Sequence, residues 1–436
     1  MKRKVIDRLI EWKQESQGKP VLLTGAKGVG KTYVVYDFAK SFFKQILYIN
    51  LEYESLLRER LSDTDAGAIP ALFLEHLKLA DENNTFDPSD RSRSPRRILI
   101  IDEISYCPEL VKHLDCLRSS GEFPRIIAIT STPLPEEANL QFQILPVYPL
   151  EFDEFLLATA NDWYIESITT HYESNKPLPE IVHQELLALH ELYMNLGGMP
   201  GAVNEYLNFN SLINIKEQHC RLTGAYHDDI LQNNPDSTAL KMNQVIDSLP
   251  SQLMKPNKKF QYTLIRKGTT HSMYKDAIEK LKNCNYLLQC HKTLSASADP
   301  SGSATEVSLN IDETTFKLYL PDVGLLCTQL SKEKYEPANP ILRKALLENY
   351  VAQAFHAKSY PLVYWESESM AKIEFILNKR EYILPIEVHI DGNTRSKSIS
   401  VLKQKWDFPY AVKISSKNFD YINQVKYVPY YAVFCI

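Results

Sequence analysis

The chain has 436 residues, of which 44% are hydrophobic and 24% charged. This composition excludes a mostly disordered chain, a coiled coil or a collagen-like fibre. At roughly 150 residues per domain the length corresponds to about three domains, and a single core is unlikely because cores rarely exceed about 250–300 residues. The net charge of −5 excludes a polycation built for nucleic acid along its whole length, but it permits a local basic face.

The first segment is predicted to form an amphipathic helix, with Val5, Ile6, Leu9 and Ile10 on one side. It is basic but lacks an apolar stretch of signal-peptide length, and the chain has no run of about 18 apolar residues. The seven cysteines form no C-x-x-C pair, which argues against a disulfide framework or a zinc knuckle. We therefore expect a cytoplasmic protein with reduced thiols and no membrane contact.

Short apolar runs alternate with helical patterns through the first 160 residues. Most are rich in Ile, Val and Leu and have the length of a strand, which is typical of parallel strands that helices cover on both faces. This part is therefore predicted to be an α/β domain with a parallel sheet. The runs are Pro20–Thr24, Ile46–Leu51, Arg97–Ile101, Arg125–Thr130 and Gln143–Tyr148.

A phosphate-binding loop follows the first run. Eight residues match G-x-x-x-x-G-K-[ST] between a strand and a helix, the context that this motif requires. Glycines let backbone N–H groups approach phosphate oxygens, and the helix N-terminus adds partial positive charge. Lys31 is predicted to reach the β- and γ-phosphates of ATP, and the Thr32 hydroxyl to bind Mg²⁺. The motif consists of Gly25, Ala26, Lys27, Gly28, Val29, Gly30, Lys31 and Thr32.

The third run ends in two adjacent carboxylates, Asp102 and Glu103. Asp102 is predicted to hold Mg²⁺ through water, and Glu103 to polarise the attacking water as a general base. The alternative is an acidic helix cap. The fourth run ends in three hydroxyl residues, Thr130-Ser131-Thr132. A hydroxyl there, with Thr130 as the chosen candidate, either senses the γ-phosphate or positions the water, or it belongs to an ordinary polar turn.

The predicted secondary structure changes twice along the rest of the chain. Residues 151–240 are mainly helical in pattern, and residues 241–330 mix a helix with short strands. Residues 341–436 begin with a helix and continue through strand-like runs. This last part has 13 Lys or Arg and 9 Asp or Glu, so it carries +4 while the remainder carries −9. The basic balance permits salt-sensitive contact with phosphate backbones.

With these motifs, the chain resembles the prokaryotic AAA-type ATPases that carry a C-terminal domain of unknown function with a restriction-nuclease-like, PD-(D/E)XK fold. The resemblance covers nearly the whole chain. Its first two markers occur in many ATPases, whereas the later five, in this order, are much more specific. The markers are GAKGVGKT (25–32), IIDE (100–103), PLEFDEFL (149–156), NLGGMPGAV (195–203), KLYLPDVGLL (317–326), LENYVAQ (347–353) and PIEV (385–388).

The resemblance implies four domains. They are an AAA-type P-loop ATPase domain (1–158), a helical lid (159–240), a winged-helix-like domain (241–335) and a nuclease-like α/β domain (336–436). Two departures concern catalysis: Lys27 stands where relatives usually have Arg, and LPEEANLQFQILPVY contains no arginine for a finger. Arg118 and Arg125 are the nearest substitutes by sequence. Because an arginine finger often supplies much of the rate, turnover is expected to be slow.

The nuclease-like pattern implies a second metal site. Its helix acid is Glu348 and its strand acids are Glu374 and Glu387, and His389 stands where a lysine is expected. Alternation along a strand places Glu387 and His389 on one face. A neutral imidazole supplies no positive charge to phosphate, so an inactive nuclease-like fold kept as a binding platform is the favoured alternative.

Three functions stay open at this point. The first is an ATPase that hydrolyses ATP with Mg²⁺ and couples its nucleotide state to movement of the C-terminal domain. The second is a Mg²⁺-dependent DNA nuclease gated by ATP, and the third is a slow nucleotide-binding scaffold for protein partners. DNA is expected to contact the C-terminal and winged-helix-like domains. DNA-stimulated turnover, metal-dependent nicking and tight ATP retention would distinguish the three.

Overall fold

The computed structural model of the protein describes residues 1–15, 18–80, 97–298, 307–332, 339–368 and 370–436. The chain divides into two compact units, the N-terminal unit (residues 2–148) and the C-terminal unit (residues 149–436, with Met1). Within the described ranges, no helix is both long and apolar enough to span a bilayer. The fold is mixed α/β, as the sequence predicts.

A five-stranded parallel sheet forms the centre of the N-terminal unit. The strands lie within two residues of their predicted bounds: β1 Val21–Thr24, β2 Gln45–Asn50, β3 Arg97–Asp102, β4 Ile126–Thr130 and β5 Gln143–Pro146. Their order is β2-β3-β4-β1-β5, and all neighbours run parallel. Strands β3 and β4 are buried along their whole length, as expected when helices cover both faces of a sheet.

Helices connect these strands and enclose the sheet. The predicted amphipathic helix at the start of the chain forms and buries Val5, Leu9 and Trp12. The loop after β1 closes tightly, because a Cβ on Gly25 would lie 2.2 Å from the carbonyl oxygen of Val147, so only glycine fits there. The α-helices in the described part of this unit are α1 Val5–Gln14, α2 Lys31–Phe42, α3 Ser55–Ser62, α4 Ile69–Ala80, α5 Leu114–Ser119 and α6 Glu136–Asn139.

The C-terminal unit begins with consecutive helices and becomes mixed further along the chain. Its helices are α7 Phe152–Ala158, α8 Trp163–Ser174, α9 Glu180–Leu196, α10 Pro200–Phe209, α11 Ile215–Asn233, α12 Asp236–Leu253, α13 His271–Asn283, α14 Val323–Lys332, α15 Pro340–Ala357 and α16 Ser398–Lys403. Its strands are β6 Leu288–Ala298, β7 Val307–Tyr319, β8 Val363–Glu366, β9 Lys372–Ile373, β10 Phe375–Asn378, β11 Ile383–Val388, β12 Ala411–Ser415, β13 Asp420–Ile422 and β14 Val425–Pro429.

Two sheets organise these strands. One is mixed, with the order β10-β11-β12-β14-β13 and parallel pairs at β11–β12 and β12–β14. The other has the order β7-β6-β8-β9. In it, strand β6 pairs with β8 through His291 and Lys292 opposite Val363 and Tyr364. The segments predicted as the winged-helix-like and nuclease-like domains therefore share a sheet across residue 335.

Two sequence markers of the C-terminal unit lie against each other. The Gly198 N–H donates to Oδ2 of Asp322 at 2.6 Å, and the Leu325 N–H donates to Oδ1 at 3.2 Å. A Cβ on Gly197 would lie 2.2 Å from Oδ1 of Asp322, so this close approach requires glycine. Burial raises the pKa of Asp322 to about 6, although the backbone donors oppose the shift. NLGGMPGAV and KLYLPDVGLL thus share a buried structural contact.

Candidate nucleotide-binding site

The candidate site lies where the strands of the N-terminal sheet end. Because β1, β3 and β4 are parallel, their carboxyl ends meet at one edge of the sheet. The phosphate-binding loop joins β1 to α2, and Asp102 is the last residue of β3. Strand β4 lies between β1 and β3, so the residues that follow it stand between the loop and the acidic pair.

Lys31 lies folded over its own loop. Its ammonium donates to the carbonyl oxygens of Gly25 at 2.9 Å and Ala26 at 3.1 Å, and to Oγ of Ser131 at 2.8 Å. The residue is only 5% exposed. Phosphate oxygens can replace the two carbonyl acceptors, because an ammonium carries three donors on a flexible stem.

Asp102 is oriented by neutral donors. Its Oδ2 accepts from Oγ1 of Thr32 at 2.7 Å and from the Tyr48 hydroxyl at 2.8 Å, and its Oδ1 accepts from the Glu103 N–H at 3.0 Å. These bonds fix the carboxylate without cancelling its negative charge. Thr32 and Asp102 thus place two oxygen ligands of the kind that Mg²⁺ prefers at the start of α2.

Glu103 is fixed in a buried, left-handed backbone conformation with φ 51°. Its Oε2 accepts from the Ser131 N–H at 3.0 Å, and its Oε1 accepts from the Ser131 hydroxyl at 2.5 Å. Burial raises the pKa of the Glu103 carboxyl, although Lys31 and the bonds from Ser131 lower it. A raised pKa brings a carboxylate closer to the range in which it works as a general base.

The hydroxyl between the lysine and the acid belongs to Ser131, not to the predicted Thr130. The Thr130 hydroxyl donates instead to the Thr132 carbonyl at 2.5 Å within its own turn. A run of three hydroxyl residues signalled the place but not which of them faces the site. Tyr48 was missed because it reaches Asp102 from a neighbouring strand, without a local motif.

The remaining residues of the phosphate-binding loop determine its backbone shape. Ala26 and Val29 are buried, and Gly28 and Gly30 adopt φ angles of 87° and 90° that favour glycine. Lys27, which replaces the arginine usual among relatives, forms an ion pair with Glu52 at 3.4 Å.

Arg125 cannot serve as an arginine finger within this unit. It precedes β4, so it lies at the opposite end of that strand from Ser131, about 16–20 Å away at the usual rise per residue. Its guanidinium donates to the Lys13 carbonyl at 3.1 Å and stacks over the Trp12 ring. Arg118 forms an ion pair with Asp115 at 3.6 Å. Arg125 therefore lies away from the site of its own unit, and the role of Arg118 stays a prediction.

The predicted second metal site contains lysines instead of a metal-binding cluster. In the described ranges, no three His, Cys, Asp or Glu side chains are placed to hold a metal ion. Glu348 lies 3.1 Å from the Lys258 ammonium, and Glu374 lies 2.8 Å from that of Lys344. The geometry therefore disagrees with a Mg²⁺ site formed by Glu348, Glu374 and Glu387.

Glu387 is also paired with a cation. Its Oε2 lies 3.1 Å from the ammonium of Lys413, which stands opposite it on β12, and its Oε1 accepts from Ser396 at 2.6 Å. His389, which occupies the position expected for lysine, lies 3.2 Å from the same carboxylate. Burial alone would raise the pKa of Glu387, but these partners hold it below its ordinary value.

Comparison with known proteins supports the N-terminal assignment. Residues 17–156 match the model of an AAA domain, whereas residues 188–336 and 343–433 match two families described as domains of unknown function (DUF8612 and DUF4143). The family match thus supports an AAA-type P-loop domain in the N-terminal part of the chain. The matches name no fold for the remainder, so the nuclease-like and winged-helix-like folds stay predictions.

Solved structures show more distant similarity. The Walker-type ATPase of Pyrococcus abyssi is 16% identical, with a TM-score of 0.41 over 76% of this chain and 95% of that one. The ORC1 protein of Aeropyrum pernix, solved in complex with DNA, is 13% identical, with a TM-score of 0.28 over 76% and 92% of the two chains. No curated protein matches the chain.

Proposed function

We propose that the protein binds ATP at the phosphate-binding loop and hydrolyses it with Mg²⁺, with Glu103 as the general base. One observation carries the proposal. The Ser131 hydroxyl accepts from Lys31 at 2.8 Å and donates to Glu103 at 2.5 Å, so the predicted phosphate ligand and the predicted base share one hydrogen-bonded hydroxyl. A structural helix cap at Glu103 would not require this link to the loop lysine.

Each side chain then has a separate task. The loop N–H groups and the start of α2 bind the phosphates, and Lys31 exchanges its carbonyl acceptors for β- and γ-phosphate oxygens. Mg²⁺ would be held by Thr32 and, through water, by Asp102, and it supplies neutralisation of phosphate charge. Glu103 orients the attacking water and accepts its proton, while Ser131 fixes the carboxylate.

The C-terminal unit is proposed to respond to nucleotide state as a binding platform. The lysine partners of Glu348, Glu374 and Glu387 argue against the nuclease alternative, because metal-assisted cleavage needs carboxylates that are available to the metal. A slow switch also fits the position of Arg125, since the N-terminal unit gains no finger from that residue. DNA or a protein partner would then act as the effector of ATP turnover.

Isothermal titration of ATP tests the binding assignment. Lys31→Ala should weaken ATP affinity by about 100-fold or more, because a buried ammonium on the phosphates is lost. Lys40→Ala is a matched control that removes an exposed lysine from the same helix, α2. Unchanged ATP affinity in Lys31→Ala would contradict the site assignment.

A further inference from the structure

A cleft of about 400 Å³ lies in the C-terminal unit beside two of the predicted nuclease acids. Its walls come from α15, from strands β7, β8 and β9, and from the end of β11. Four of its lining residues are lysines: Lys258, Lys317, Lys344 and Lys372. Such a concentration of ammonium groups around one cavity favours an anionic ligand.

The most buried acid of the cleft is already neutralised. Glu348 lies 3.1 Å from Lys258, 3.6 Å from Lys317 and 3.7 Å from Lys344. Burial alone would raise the pKa of Glu348, but these lysines hold it well below its ordinary value. One carboxylate therefore faces several ammonium groups, and the cluster keeps positive charge.

The other two glutamates in the lining are neutralised in the same way. Glu374 lies 2.8 Å from Lys344. Glu366 is paired with Lys292 at 3.4 Å and also with Lys259, and these two cations add to the four that line the cleft. The carboxylates therefore do not make this cleft an acidic, cation-binding site.

Three polar groups of the lining donate no side-chain hydrogen bond to a described residue. The Lys317 ammonium is 3.6 Å from Glu348, beyond ordinary hydrogen-bonding distance, and lies 4.6 Å from the ring centre of Tyr364. The Tyr364 hydroxyl is buried in the cleft wall with no hydrogen-bond partner among the described residues. Lys372, on the short strand β9, is exposed at the rim.

We propose that this cleft binds a phosphate group without a metal ion. Lysine ammonium groups bind phosphate as point charges and supply the neutralisation that a divalent cation would otherwise provide. A phosphate presents several acceptor oxygens, so it can contact more than one ammonium group at once. The phosphate belongs either to a nucleic-acid strand or to a free phosphorylated molecule, and the two sources are separable by experiment.

Substitutions that make the cleft either less or more positively charged test the site. Lys317→Gln removes one ligand while leaving Glu348 paired with Lys258 and Lys344, so folding should be preserved. Glu366→Gln instead frees its lysine partners and makes the cleft more positive. Lys372→Gln is a second loss variant. Lys403→Gln is the matched control, because this exposed lysine belongs to the same unit but does not line the cleft.

Binding of inorganic phosphate is measured by isothermal titration in the full chain, in the presence of EDTA. Every protein carries Lys31→Ala, so that the nucleotide loop contributes little. Lys317→Gln and Lys372→Gln should each weaken phosphate binding by about tenfold at low salt, and Glu366→Gln should strengthen it by a similar factor. A merely structural effect of the substitutions would not change sign in this way.

A fluorescently labelled single-stranded DNA, followed by anisotropy, identifies the source. If DNA affinity falls in Lys317→Gln and Lys372→Gln and rises in Glu366→Gln, the cleft binds the phosphates of a nucleic-acid strand. Each lost lysine should then reduce the salt dependence of DNA binding by about one phosphate contact. If only the affinity for inorganic phosphate changes in this way, the ligand is a free phosphate ester. The proposal is overturned if the substitutions change the affinity for neither phosphate nor DNA in this way, or if binding requires Mg²⁺.

Discussion

The two units of this protein both bring carboxylates and lysines together, but they give the carboxylates different partners. In the N-terminal unit, Asp102 accepts only from neutral donors in its described hydrogen bonds, so its charge remains available to a metal ion. In the C-terminal unit, Glu348 and Glu374 are held by ammonium groups. The charge of the donor, more than the presence of the acid, therefore decides what a carboxylate site can bind.

The same difference governs protonation. Glu103 is buried beside hydroxyl and backbone donors, and burial raises its pKa despite the opposing charge of Lys31. Burial would also raise the pKa of Glu348, but its lysines outweigh this effect and lower it. The shift favours proton uptake by Glu103, whereas Glu348 stays ionised and neutralises its lysine neighbours.

The largest expected effect is on stability. Glu348→Gln should lower the free energy of unfolding by about 3–5 kcal/mol, because it leaves the buried Lys258 ammonium without its counter-ion. Chemical denaturation at neutral pH measures the loss. Glu381→Gln, at an exposed position, is the control and should change stability by less than about 0.5 kcal/mol.

The pH dependence of that loss follows from the lowered pKa. Ionised Glu348 stabilises the fold fully above its ordinary value of 4.5, and this contribution disappears as pH falls through the lower folded-state pKa. The difference between wild type and Glu348→Gln should therefore shrink below pH 4.5. A difference that is small at neutral pH would show that the lysines are not neutralised by this acid.

A smaller effect is expected at Tyr48. Tyr48→Phe removes a donor to Oδ2 of Asp102 but leaves the bond from Thr32. The Mg²⁺ concentration that gives half-maximal ATP hydrolysis should rise about tenfold, because groups that orient metal ligands tune metal affinity. The maximal rate at saturating Mg²⁺ should change little. Tyr53→Phe, which alters an exposed tyrosine of the same unit, is the control.

The smallest expected effect concerns the pH profile of turnover. Glu103 must be ionised to act as a base, so activity should be lost as pH falls through its raised pKa, above the ordinary value of 4.5. Ser131→Ala removes a hydroxyl bond that favours the ionised form and should move this acid limb upward by about one pH unit. Thr132→Ala provides a neighbouring control. An acid limb at the same pH in Ser131→Ala would contradict the role given to this bond.

Contiguous features were predictable from the sequence, whereas partners from distant segments were not. The phosphate loop follows one strand, and Asp102 and Glu103 lie together at the end of another. Each feature is contiguous in the sequence, so local spacing alone predicts its position at the edge of the sheet. Ser131 was one residue from the predicted Thr130, because a hydroxyl run does not reveal which side chain faces the site. Arg125 precedes β4, so residue order alone places it at the amino end of that strand, away from the carboxyl ends where the site lies.

The C-terminal cluster shows the same limit. Lys344 is four residues before Glu348 on α15, and helical periodicity alone places them on one face. Lys258 lies in a loop and Lys317 on a strand, both distant from Glu348 in the sequence. No local sequence pattern therefore connects them with this acid. The sequence therefore could not show that Glu348 is surrounded by ammonium groups.

Glu103→Gln tests the central claim most directly. Phosphate release and retained ATP are measured together in the isolated full chain with Mg²⁺, where wild-type turnover is expected below about 10 s⁻¹. The variant should keep ATP bound with near wild-type affinity while hydrolysis falls by about 100-fold or more, because the general base is lost. Hydrolysis at the wild-type rate by an ATP-bound Glu103→Gln protein would contradict the account.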